Sequence, residues 1–133
     1  MKNKKVIFIL LFVIIVGSGI FIFKKTNSNE TQYIKISSSE AKEIIDNDND
    51  VIIVDVRTND EYVNGHIEGA VCIPNETISK EISDLIPDKK QEILVYCRSG
   101  NRSRQAVYKL IDLGYKNVKD FGGIIDWPYE IIE

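Results

Sequence analysis

The chain has 133 residues, 44% of them hydrophobic and 28% charged, with a formal charge of −3; that length holds one domain of ordinary size, and that balance excludes a disordered chain. Five lysines fall in the first 25 positions, and the remainder carries 12 basic residues against 20 acidic ones, a net of −8. Such an acidic body repels nucleic acid and anionic lipid, which excludes both as partners of the folded part, and a single histidine with no CxxC gives no zinc-site spacing.

Lys2, Lys4 and Lys5 precede an apolar run from Val6 to Phe23, which Lys24 and Lys25 close. As a helix its 18 residues would reach about 27 Å, near the hydrocarbon thickness of a bilayer. Residues 1–25 are therefore expected to anchor the chain in a membrane, crossing it through residues 6–23. The alternative is a signal sequence cut near Gly17 and Gly19, which would leave the domain secreted. Ile20 to Phe23 continue the run past that cut, which favours a single-pass anchor. The lysine bias places the N-terminus in the cytoplasm and the domain outside it.

Residues 26–32 are polar and unpatterned and read as a linker to a domain over residues 33–133. Tyr33 to Ile36 alternates like a short strand. Ser37 and Glu40 form a capping box for a helix with Ala41, Ile44 and Ile45 on its apolar face. Val51 to Val54 is a β-branched run without alternation, the mark of a strand covered on both faces, and it ends in Asp55-Val56-Arg57. Thr58 and Glu61 suggest a second capping box, on a short helix stopped at Gly65. After the turn His66 to Gly69, Ala70 to Ile73 reads as a third strand closed by Pro74, and Asn75 to Ile86 has helical spacing at Ile78, Ile82 and Leu85. Ile93 to Tyr96 is a fourth apolar strand; Ser103 to Leu113 is a helix on Ala106, Val107, Leu110 and Leu113, with Gly114 as its cap. Val118 to Phe121 can form a fifth strand, and Gly122 to Pro128 a tight turn with a last helical turn. Strands alternating with helices predict an α/β fold, a parallel sheet flanked by helices with its sites at the carboxyl ends of strands.

At one such end lies Cys97-Arg98-Ser99-Gly100-Asn101-Arg102-Ser103. A cysteine between a strand and a helix N-terminus, among loop amides and guanidinium groups, is favoured as thiolate, and the same donors suit an oxyanion. Cys97 is the candidate nucleophile, and Arg98, Ser99, Gly100, Asn101, Arg102 and Ser103 are candidate binding residues around it. Arg104 reads equally well as exposed helix surface. Asp55 and Arg57, at another strand end, could contact this loop or pair with each other, and read as a polar brace that holds it. Cys72 reads as packing, with a redox partnership to Cys97 open to it, and Trp127 as packing.

Several separate stretches resemble the rhodanese family in their usual order: Asp55-Val56-Arg57, Glu61-Tyr62 with Gly65-His66-Ile67 and Gly69-Ala70, Ile73-Pro74, Cys97 to Ser103, and Gly122-Gly123 with Trp127. The resemblance covers about residues 33–130. It implies a central five-stranded parallel sheet and a sulfurtransferase reaction through a Cys97 persulfide, without metal or cofactor. The partners it implies are a small sulfur-containing anion, such as thiosulfate, as donor and a thiol or cyanide as acceptor. A thiol-redox or persulfide-binding module outside the cytoplasm is the alternative. Cysteine phosphatases and arsenate reductases also cradle an oxyanion around a thiolate, but their loops need one residue more than the four between Cys97 and Arg102. Nothing in the sequence sets the oligomeric state.

Overall fold

The computed structural model describes residues 30–133; the expected anchor over residues 1–25 lies outside them. Five strands, β1 (Ile34–Lys35), β2 (Ile52–Asp55), β3 (Val71–Cys72), β4 (Ile93–Cys97) and β5 (Val118–Gly123), form one sheet in the order β1-β5-β4-β2-β3. Every neighbouring pair is parallel. The helices are α1 (Ser38–Asn47), α2 (Asn59–Val63), α3 (Ile82–Leu85) and α4 (Asn101–Asp112), with single 3₁₀ turns at Asn75–Thr77 and Ile124–Asp126. Among the described residues no helix is long and apolar enough to cross a membrane.

The unalternating strands are explained by two cores, one on each face of the sheet. Successive side chains of a strand point to opposite faces, so in β4 Ile93, Val95 and Cys97 join the core that holds Ala106, Val107 and Leu110 of α4. Leu94 and Tyr96 join the other, with Ala41 of α1, Phe121 and Trp127. All five residues of β4 are buried. Cys97 thus belongs at once to a packed core and to the sheet's carboxyl edge.

Ser37 caps α1 with the expected reciprocal box: its hydroxyl accepts from the Glu40 amide at 3.1 Å, and the Glu40 carboxylate accepts from the Ser37 amide at 2.7 Å. Only half of the second box forms. The Thr58 hydroxyl accepts from the Glu61 amide at 3.2 Å, but the Glu61 carboxylate accepts from the Thr58 hydroxyl at 3.3 Å and from Arg102, and not from the Thr58 amide. The stretch from Asn75 to Ile86 is not one helix. It breaks into a 3₁₀ turn and the four residues of α3, and Leu85 is 69% exposed while Ile86, 3% exposed, takes its place in the core. Ile78 and Ile82 are buried as the spacing required; a four-residue interval is met equally by two short turns separated by a bend.

One irregularity positions the site. Val95 of β4 pairs with Asp120 of β5, but Cys97 pairs with Gly123, so β5 holds one extra residue over this interval. The bulge is held by Asp120, which is fully buried and accepts from the Gly122 amide at 2.8 Å and the Tyr33 hydroxyl at 2.6 Å. Bulges bend a strand and re-aim the residues beyond them; here the bulge brings Gly123 beneath the cysteine loop.

Candidate active site

Cys97 closes β4 and α4 opens four residues later, so the chain must turn back within Arg98 to Gly100. Gly100 occupies the N-cap with φ of +106°, a left-handed conformation that glycine adopts freely, and offers no side-chain cap. That turn points amides at the sulfur: the Gly100 N–H donates to Cys97 Sγ at 3.0 Å, and the Ser103 hydroxyl lies 3.5 Å from it. Burial pushes the Cys97 thiol up, but the Ser103 hydroxyl and the amides of Ser103, Gly100 and Ser99 outweigh it, leaving the thiol below its ordinary value. The balance favours the thiolate, the form that acts as nucleophile.

The loop fits because Gly123 has no side chain. A Cβ there would stand 2.1 Å from the Arg98 carbonyl oxygen and 2.7 Å from the Ser99 Cα. The Ile125 amide donates to the same carbonyl at 3.3 Å, so β5 and the turn after it hold the loop from below.

Of the expected binding residues, the structure brings Arg98 and Arg102 together with Arg57 on an open cleft of about 670 Å³. Ser103 is fully buried behind the sulfur and donates to the Gly100 carbonyl at 3.0 Å, so it supports the loop and does not line the cleft. Ser99 and Asn101 are exposed beside it. Arg104 points elsewhere, its guanidinium 5.9 Å from the centre of the Tyr33 ring.

Glu61 is the cleft residue that sequence reasoning missed. Both its oxygens accept from Arg102, at 2.7 and 3.0 Å. The Arg102 guanidinium, against a smaller opposing effect of burial, holds the Glu61 carboxyl down at about 2. A carboxyl depressed from the ordinary 4.5 contributes stability at every pH above that value and loses it as pH falls towards 2. Both side chains are nearly a third exposed, so the pair contributes on the order of 1 kcal/mol or less. Its larger effect is to occupy Arg102. Glu61→Gln is expected to bind inorganic sulfate several-fold more tightly than the natural chain in an equilibrium titration at neutral pH; unchanged affinity would mean that Glu61 does not compete for the cation.

Asp55 and Arg57 brace a different loop from the one expected. Arg57 is chelated by Asp55, with Nη2 to Oδ2 at 2.7 Å and Nε to Oδ1 at 3.0 Å, and donates onward to the Gly65 carbonyl at 2.6 Å. The pair therefore ties β2 to the 65–67 turn, where the Ile67 amide donates to the Tyr96 hydroxyl at 3.1 Å. Burial lowers the Arg57 guanidinium, but Asp55 more than restores it, for a net rise. His66 stacks on Tyr62, its Nδ1 2.9 Å from the Tyr62 carbonyl oxygen.

Cys72 and Cys97 are both free. Cys72 pairs with Asp55, and Asp55 with Tyr96, so all of β2 lies between the cysteines. Two strand spacings are about 10 Å, beyond the reach of about 7 Å for a disulfide. The redox partnership open to Cys72 is therefore blocked by the sheet. Its thiol, pushed up by burial, lies 3.2 Å from Asn59 Oδ1 and donates there.

With this geometry established, three comparisons bear on it. The family model for the Rhodanese-like domain matches residues 37–128. Thiosulfate sulfurtransferase PspE of Escherichia coli (strain K12) is 37% identical over 73 residues, 55% of this chain and 70% of that protein. A sulfurtransferase of Allochromatium vinosum is 36% identical over 94 residues, 70% of this chain and 86% of that protein. Among solved structures, a rhodanese with anions from E. coli superposes with a TM-score of 0.59 at 32% identity, covering 62% of this chain and 98% of that one.

Proposed function

We propose, since this chain belongs to the rhodanese-like domain family, that it is a sulfurtransferase in which Cys97 carries the sulfur between a donor such as thiosulfate and a thiol or cyanide acceptor. The observation that carries the proposal is the setting of Cys97 Sγ: the Gly100 amide donates to it at 3.0 Å, the Ser103 hydroxyl lies 3.5 Å away, and the thiol is held below its ordinary value. This setting favours the thiolate, which attacks the outer sulfur of the donor. A sulfur–sulfur bond forms on Sγ, the bond within the donor breaks, and its electron pair leaves on sulfite when the donor is thiosulfate. The acceptor then attacks the outer sulfur of the persulfide and frees the thiolate, a two-step covalent sequence with ping-pong kinetics.

Burial of Cys97 supports a transfer of single sulfur atoms. The residue is 1% exposed, so a bulky group cannot be bonded to Sγ without opening the loop, whereas one added sulfur is the smallest group that can be carried there. The four residues between Cys97 and Arg102 favour this reading over phosphatase or arsenate chemistry, in which the loop must surround a tetrahedral ion. The proposal extends to place: Val6 to Phe23, flanked by lysines, would tether the domain to the outer side of a membrane, so the acceptor would be found there.

The test is intact mass of the protein after incubation with thiosulfate. The expected result is a gain of one sulfur atom on the natural chain, lost on adding cyanide and absent from Cys97→Ser. If the natural chain gains no sulfur, or Cys97→Ser gains as much, Cys97 is not the carrier.

A further inference from the structure

We propose, resting on the sulfurtransferase reading above, that Lys35 is a positioning residue for Cys97. Its ammonium group stands over the glycines that hold the cysteine loop and offsets the buried carboxylate of Asp120, so that the sulfur can carry a negative charge.

Sheet register places these groups on one face. Lys35 of β1 pairs with Asp120 of β5, and Asp120 with Val95 of β4. Paired residues of neighbouring strands share a face of the sheet, as do residues two apart in one strand, so Lys35 and Asp120 lie on the face that Val95 and Cys97 share. Asp120 is fully buried, and its carboxylate accepts from two neutral donors, the Gly122 amide at 2.8 Å and the Tyr33 hydroxyl at 2.6 Å. A buried negative charge on the same face as a thiolate is weakly screened and disfavours it. Among the described residues, the cation within ion-pair reach of Asp120 is Lys35, with Nζ 3.9 Å from Oδ1.

The same ammonium reaches the cysteine loop. A Cβ on Gly122 would meet Lys35 Nζ at 3.0 Å, and one on Gly100 would meet it at 3.9 Å. Both glycines have positive φ, +88° and +106°, and their bare Cα atoms leave the recess that Nζ occupies. The Gly100 amide donates to Cys97 Sγ at 3.0 Å, so one residue separates the ammonium from the sulfur's hydrogen bond. The Lys35 side chain is 51% exposed and adds little stability as an ion pair; its effect is on the balance of charge at the loop.

The arginines around the loop are engaged elsewhere. Arg102, the charged neighbour of the sulfur on α4, is held by both oxygens of Glu61 and also faces Glu76. Arg57 is held by Asp55, and Arg104 turns to the Tyr33 ring. Lys35 approaches the loop from β1, away from the cleft that Arg57, Arg98 and Arg102 line.

The experiment titrates Cys97 directly. The ultraviolet absorbance of the thiolate is followed against pH in the natural chain, Lys35→Met and Lys35→Arg, each after subtraction of the same chain carrying Cys97→Ser. Lys35→Met keeps a long apolar stem without the charge and is expected to move the midpoint to higher pH. Lys35→Arg keeps the charge and is expected to hold the midpoint of the natural chain. The rate of sulfur uptake from saturating thiosulfate, read by intact mass, is expected to fall about threefold in Lys35→Met below the midpoint, the size of effect one partly exposed charge has, and to match the natural chain above it. A midpoint unmoved by Lys35→Met, a midpoint moved as far by Lys35→Arg, or a rate lowered equally at every pH would overturn the inference and leave sulfur transfer standing. No sulfur uptake by the natural chain, with a midpoint moved by Lys35→Met alone, would overturn the sulfurtransferase reading and leave Lys35 its hold on the thiol.

Discussion

Arg57→Ala is expected to destabilise the fold by about 3–5 kcal/mol, the cost of leaving a buried charge without its partner. Asp55 is fully buried at the end of a central strand, and Arg57 is itself 6% exposed. Once the guanidinium is gone, the described partner of the carboxylate is the Arg57 backbone amide, at 2.9 Å from Oδ1. The same side chain links Asp55 to the Gly65 carbonyl, so the 65–67 turn also loses its attachment to β2. Denaturant unfolding measures the effect as a lower midpoint with an unchanged slope. Adding Asp55→Asn to Arg57→Ala should recover part of the loss, because a neutral amide is less costly to bury than an unpaired carboxylate. A single variant within about 1 kcal/mol of the natural chain, the scale of an exposed ion pair, would show that the pair is not a buried anchor.

Gly123→Ala is expected to slow persulfide formation by about a hundredfold, the penalty that displacing reacting groups by about 1 Å can carry. The added methyl would stand 2.1 Å from the Arg98 oxygen and 2.7 Å from the Ser99 Cα. Both neighbours are backbone, so they cannot swing aside as a side chain would. The loop must lift or β5 must sink, and either motion pulls the Gly100 amide off Cys97 Sγ, where it now lies at 3.0 Å. The rest of the sheet has no stake in this contact, so overpacking should cost only about 1–3 kcal/mol of stability. A variant that folds and reacts at the natural rate would mean that the loop's position does not govern Cys97.

These two residues also mark how far the sequence could be read. Strands, capped helices and the cysteine loop were legible because their signals are local: β-branched runs, a serine three positions before a glutamate, a cysteine at a strand end. Arg57 was legible as a brace, since it lies two residues from Asp55, but its grip on Gly65 depends on how the chain returns after α2. Glu61 was legible as half of a capping box and as part of a family motif, but not as a partner of Arg102, which is 41 residues away. Asp120 carried no warning and Gly123 stood out only as part of a glycine pair read as a turn, because their importance comes from a register shift between β4 and β5, a property of two strands and not of either alone. The misreading of Asn75 to Ile86 has the opposite cause, a local period that two short turns meet as well as one helix.

The missing cap of α4 constrains how this protein could evolve. In α1 and α2 the amide of the third helical residue is taken by a hydroxyl of the N-cap side chain, Ser37 for Glu40 and Thr58 for Glu61. In α4 Gly100 has no side chain to offer, and the amide at the N-cap itself, that of Gly100, donates to the Cys97 sulfur at 3.0 Å. The nucleophile therefore accepts from the residue that opens the helix, and ionisation and folding are thermodynamically linked through it. A thiol held below its ordinary value stabilises the fold above that value and ceases to as pH falls through the lowered one. Selection for a firmer helix and selection for a more reactive sulfur act on the same few amides, and neither property can be adjusted alone.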